Sequence, residues 1–114
     1  MSIFAKYNKT NVNFDIDVKG MAFIKLKDLY PNGTRYTVNG LYIHTGKLNV
    51  HPVAISQEIN KQIDLPEHLT DTVRNILADE EAVEAIREGK CAIEIYEYTA
   101  RNKQCYSVRF IEND

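Results

Sequence analysis

The chain has 114 residues, 44% of them hydrophobic and 26% charged, with a net charge of −2. That length suits one domain (residues 1–114) able to bury about two thirds of its unfolded surface, and the composition excludes a chain disordered throughout. The opening residues lack the basic head and apolar run of a secretion signal, and no stretch approaches the ~20 apolar residues of a membrane span, so a cytosolic protein without membrane contact is expected.

In chain order, Phe14-Asp15-Ile16-Asp17-Val18 alternates apolar and acidic residues, the period of a half-buried strand. Residues 21–29 alternate again, placing Ala22, Ile24 and Leu26 on one face and Phe23, Lys25 and Lys27 on the other, so 14–29 reads as an N-terminal hairpin. Pro31-Asn32-Gly33 supplies a turn. Residues 35–44 are β-branched and aromatic, with Tyr36, Val38, Tyr42 and His44 opposite in parity to Thr37, Leu41 and Ile43. Gly40 within that run suggests a bulge or a close backbone approach. A further strand over 50–57 carries Pro52, which implies an edge or a bulge at its start, and 62–65 is a short extended piece before Pro66.

Pro66 suits a helix start, and Leu69, Val73, Ile76 and Leu77 form one apolar stripe that Val83 and Ile86 continue. Asp79 before Glu80 and Glu81 has the chemistry of a second helix start, although one uninterrupted helix fits the stripe as well. Gly89 is the expected stop. Segment 66–88 holds seven acids against two bases, a net −5, which leaves the rest of the chain at +3. Residues 91–99 and 104–111 then form a hairpin turning near Arg101-Asn102-Lys103, with Cys105 opposite Tyr98 and Cys91 seven residues further along. Seven strand residues span ~23 Å, too far for a disulfide within this hairpin.

Several strands, one helical segment and a closing hairpin make a mainly β protein. From Arg35 the order β-β-β-α-β-β is that of a five-stranded OB-type barrel, preceded by the 14–29 hairpin; the competing arrangement is an antiparallel α+β sheet with the helix on one face. If Ala22, Ile24, Leu26, Leu41, Ile43, Ile93, Ile95, Val108 and Phe110 point inward, the opposite parity sets Phe23, Lys25, Lys27, Tyr36, Tyr42, Tyr96, Tyr98 and Arg109 outside, with Arg101 and Lys103 at the hairpin tip. Aromatic rings interleaved with cations suit single-stranded nucleic acid, since bases stack on rings while Lys and Arg neutralise phosphates. The same pattern also arises from ordinary solvated strands rich in tyrosine.

His44 and His51 can face one another across the 45–50 loop in a geometry able to hold a metal, and Asp15 and Asp17 can pair on a divalent cation; with no third ligand of clear spacing for the first and strand alternation explaining the second, all four read as polar strand residues. There is no phosphate-cradling Gly loop, His-Glu-x-x-His, Cys-x-x-Cys or Gly-x-Ser-x-Gly motif, so nothing nominates an enzyme or a cofactor.

The segments Val38-Asn39-Gly40-Leu41-Tyr42-Ile43-His44-Thr45-Gly46, Pro52-Val53-Ala54-Ile55, Asp64-Leu65-Pro66-Glu67-His68-Leu69, Tyr96-Glu97-Tyr98 and Cys105-Tyr106-Ser107-Val108 together resemble small proteins of phages and mobile elements of Gram-positive bacteria. More distantly, the pattern resembles the OB-type single-strand-binding proteins that phages encode. The resemblance implies a role in replication or recombination and supplies no site residues. The expectation is therefore a non-catalytic single-stranded-DNA-binding accessory protein, with Tyr36, Tyr42, Tyr96 and Tyr98 stacking and Lys25, Lys27, Arg101, Lys103 and Arg109 on phosphates. The alternatives are a protein-interaction module that docks through the acidic helix 66–88 or a strand edge, and a homo-oligomer joined through its tyrosines.

Overall fold

The computed structural model describes Phe14, residues 16–47 and residues 49–113. Among the described residues seven strands form two sheets. The first has the order β1 (Ala22–Lys25), β5 (Lys61–Asp64), β4 (Val50–Ser56), β3 (Gly40–Thr45), and the second the order β2 (Arg35–Val38), β6 (Cys91–Ala100), β7 (Lys103–Glu112). The chain is thus mainly β, as the alternation requires, but its strands lie in two sheets and close no barrel.

The expected 14–29 hairpin does not form among the described residues. Residues 16–18 belong to no strand, a turn closes with Met21 N–H donating to Val18 O (3.0 Å), and only Ala22–Lys25 becomes a strand. That strand runs parallel to β5, with Ala22 beside Lys61 and Lys25 beside Asp64; every other pairing among the described residues is antiparallel. A short helix, α1 (Leu26–Leu29), follows at once and buries Leu26 and Leu29, two positions three apart on one helical face.

The 35–44 run is not one strand. It divides at Asn39, so that β2 enters one sheet and β3 the other. Asn39 holds this corner from both ends: its N–H donates to Ile55 O (2.8 Å) and its Oδ1 accepts from Gln57 N–H (2.8 Å). Gly40 permits it, because a Cβ there would stand 3.0 Å from Ile55 Cδ1 and 3.4 Å from Ile16 Cδ1 and Phe14 Cβ. The close approach comes from side chains rather than from backbone.

Pro52 lies in central β4, opposite Ile43, and not at an edge. A strand residue's N–H and C=O point to the same side. Pro52 O accepts from Leu65 N–H (3.0 Å), one residue past the end of β5, so the donor that proline lacks falls where the ladder has already stopped.

The helical segment is two helices, α2 (Thr70–Ala78) and α3 (Glu80–Arg87), entered through a 3₁₀ turn after Pro66. Asp79 parts them as the N-cap of α3, its Oδ1 accepting from Glu81 N–H (3.0 Å) and Ala82 N–H (3.4 Å). Gly89, at φ +76°, ends the segment. Val73, Val83 and Ile86 are buried, joining Leu41, Ala54 and Ile63 of the first sheet and Tyr36, Val38, Ile93 and Ile95 of the second in one core. Ala22, expected inside, is exposed, because β1 is an edge strand.

A second, smaller cluster of Met21, Tyr42, Val53 and Ile55 lies on the opposite face of the first sheet, roofed by Ile16 and Val18. Around Tyr42 and Val53 that sheet is therefore buried on both faces, which strand parity alone does not anticipate.

Candidate binding surface

Tyr36 and Tyr42 do not meet solvent. Tyr36 is 8% exposed and its hydroxyl donates to Leu29 O (3.2 Å); Tyr42 is 5% exposed and its hydroxyl donates to Gln62 Oε1 (2.5 Å), whose Nε2 donates in turn to Met21 O (3.1 Å). Both phenols are raised above their ordinary pKa, Tyr36 by burial with Glu58 adding to it, and Tyr42 to about 12 by burial and then by Asp64. Each ring forms part of the interior because the α1 turn covers one and the segment 16–21 the other. As stacking platforms they are corrected.

Lys25 and Lys27 are exposed, on β1 and α1, and neither lies on the β6–β7 hairpin that carries Tyr96 and Tyr98. The nine expected residues thus do not share one face. Five of them do stand together on the β6–β7 hairpin.

The hairpin keeps the expected register, Tyr98 opposite Cys105 and Glu94 opposite Arg109. Arg101 (φ 51°) and Asn102 (φ 63°) form its two-residue turn, both in the left-handed region that matches strand twist in tight hairpins. Residues 97–104 are all exposed, so the outer half projects as a free arm, while Tyr106 packs on Tyr30 (centroids 5.4 Å) and ties its root to the body. On one face Tyr96 and Tyr98 lie ring beside ring (centroids 6.1 Å), the latter 37% exposed. Arg109 sets its guanidinium 4.7 Å from the Tyr96 ring centre and pairs with Glu94 (3.3 Å). Lys103, opposite Ala100, extends the same row beyond Tyr98, and Arg101 caps the tip. A side-chain bond between Gln104 and Glu97 braces the other face. The result is a row of rings and cations with one carboxylate already engaged.

Ser107 Oγ and His68 Nε2 are hydrogen-bonded at 3.2 Å, a contact that no sequence spacing announced. Ser107 has no exposed surface, and no carboxylate among the described residues is bonded to His68. The pair fastens the 3₁₀ turn to β7 and presents no accessible nucleophile.

Cys91 and Cys105 are free, and burial pushes the Cys91 thiol up to about 11. Among the described residues no three or more His, Cys, Asp or Glu side chains converge on a metal position, and no helix is long and apolar enough to cross a membrane. No protein-family model, curated protein or solved structure matches the chain.

Proposed function

We propose that the protein is a non-catalytic binding protein of the cytoplasm whose projecting β6–β7 arm takes single-stranded nucleic acid, one or two bases lying on Tyr98 and Tyr96 and the phosphates on Arg101, Lys103 and Arg109. The observation that carries this reading is the row Arg109, Tyr96, Tyr98, Lys103 on one face of the hairpin. Stacking contributes ~1–3 kcal/mol per base and requires no sequence preference. Two rings make a short platform, so the site size is a few nucleotides and the affinity modest.

A replication or recombination role and an OB-type ancestry belong to the same proposal. Supporting the latter, β2 and β3 follow one another at Asn39 yet lie in different sheets, as the bent strand of a partly open barrel does.

Fluorescence anisotropy of labelled oligo-dT tests it. With about three phosphate contacts and ~0.7 ion released per contact, raising salt from about 50 to 200 mM lowers affinity about 20-fold, and Tyr98→Ala weakens binding about tenfold. No binding at micromolar protein in low salt removes the reading.

The second reading is a protein-docking module. It is favoured by an apolar groove between α3 and β7, lined by Ile76, Ala82, Ile86, Phe110 and Ile111 beside the acidic helices. It predicts indifference to oligo-dT and binding of a basic, apolar-faced peptide that Ile111→Asp abolishes.

A further inference from the structure

His44 and His51 face one another across β3 and β4 as register partners, their ring centroids 5.1 Å apart. His51 Nε2 lies 3.0 Å from Asp64 Oδ1. A carboxylate only accepts, so Nε2 carries the proton and, in the neutral ring, Nδ1 carries the lone pair. In the neutral ring that lone pair points at Asn49 Oδ1, 3.2 Å away, whereas a protonated ring donates to it. Two ligand atoms each ~2.1 Å from one metal ion at tetrahedral to octahedral angles stand about 3.0–3.4 Å apart. The Nδ1 to Oδ1 separation is thus the bite of a chelate.

The third atom comes from His44. Its ring makes no hydrogen bond among the described residues, and its Nε2 lies 3.5 Å from the point where a Cβ on Gly46 would stand, with Asn49 Oδ1 3.8 Å from the same point. Glycine at 46 leaves that space open. Asp64 meanwhile occupies the place of the outer-sphere carboxylate that commonly orients a metal-bound histidine.

We infer that His44 Nε2, His51 Nδ1 and the Asn49 side-chain carbonyl bind a borderline divalent transition-metal ion at the 45–50 loop, with Asp64 holding the His51 ring. Two imidazoles and an amide oxygen select zinc, nickel or copper over calcium or magnesium. Three protein ligands leave at least one coordination position for water, so this is an open site rather than a closed structural one. It lies on the first sheet and involves none of the hairpin residues.

Calorimetric titration of the untagged protein with Ni²⁺ at neutral pH, read together with paramagnetic broadening of amide resonances, is the test. The expected result is one saturable site per chain, with broadening confined to the loop around His44, Asn49 and His51. Binding disappears in His44→Gln and His51→Gln, weakens about tenfold or more in Asp64→Asn, and is unchanged in Cys105→Ser. His44→Gln decides the matter if His51→Gln fails to fold, because His44 supports no other side chain by hydrogen bonding. Absence of saturable uptake overturns the site and leaves the 3.2 Å contact as a hydrogen bond, from a protonated ring to Oδ1 or from a turned amide to Nδ1; uptake that survives His44→Gln overturns it as well.

Discussion

Tyr42 concentrates the energetics of the smaller core in one side chain. Its hydroxyl, the Gln62 amide and the Met21 carbonyl form a chain of buried groups in which each polar atom has a partner. Tyr42→Phe leaves Gln62 Oε1 buried without a donor, at a cost of about 1–3 kcal/mol. The folded state holds the Tyr42 proton more tightly than the unfolded chain does, so its contribution is complete below about pH 10 and is lost as pH rises toward about 12. Denaturant melts of the native protein therefore lose stability across that window, and those of Tyr42→Phe lose distinctly less. Equal alkaline losses in both count against this account. The same residue shows why parity misled: Tyr42 alternates correctly against Leu41 and Ile43, and alternation says which face a ring takes, not whether that face is covered.

Among the elements, the helical pair and the closing hairpin were the most legible. Asp79 followed by two glutamates, a stop at Gly89, and Cys105 opposite Tyr98 all follow from short-range chemistry, and each is present. Asp79→Ala removes the side-chain acceptor of two backbone N–H groups and costs about 1 kcal/mol, measurable as a fall of about 4 °C in Tm; Asp79→Ser restores most of it. An unchanged melt for Asp79→Ala shows that packing alone sets the α2–α3 junction. The 14–29 run departs from the hairpin that its alternation predicts for an equally physical reason. Residues 21–29 alternate, but Leu26 and Leu29 also have helical spacing, and a short run that fits both periods is decided by its neighbours. Here β5 offers a partner only to Ala22–Lys25.

For the whole molecule, the decisive feature is the corner at Asn39-Gly40, where one extended run passes between sheets beneath Ile55, Ile16 and Phe14. Gly40→Val drives a side chain into that junction and costs about 2–3 kcal/mol. Because the clash falls on the contacts between the 16–21 segment and β3, near-ultraviolet circular dichroism of Tyr42 changes along with the melting temperature. A Gly40→Val protein with native stability and spectrum contradicts this role for the corner.

Composition, alternation, capping chemistry and turn residues determined that this is a mainly β chain with an acidic helical segment before a tight hairpin, since all of these act between residues close in sequence. Pairing between distant segments decided the rest: the parallel β1–β5 ladder, the division of 35–44 between sheets, the roof over Tyr42, and the approach of Asp64 to His51. Burial depends on what packs over a face, and no local period carries that information.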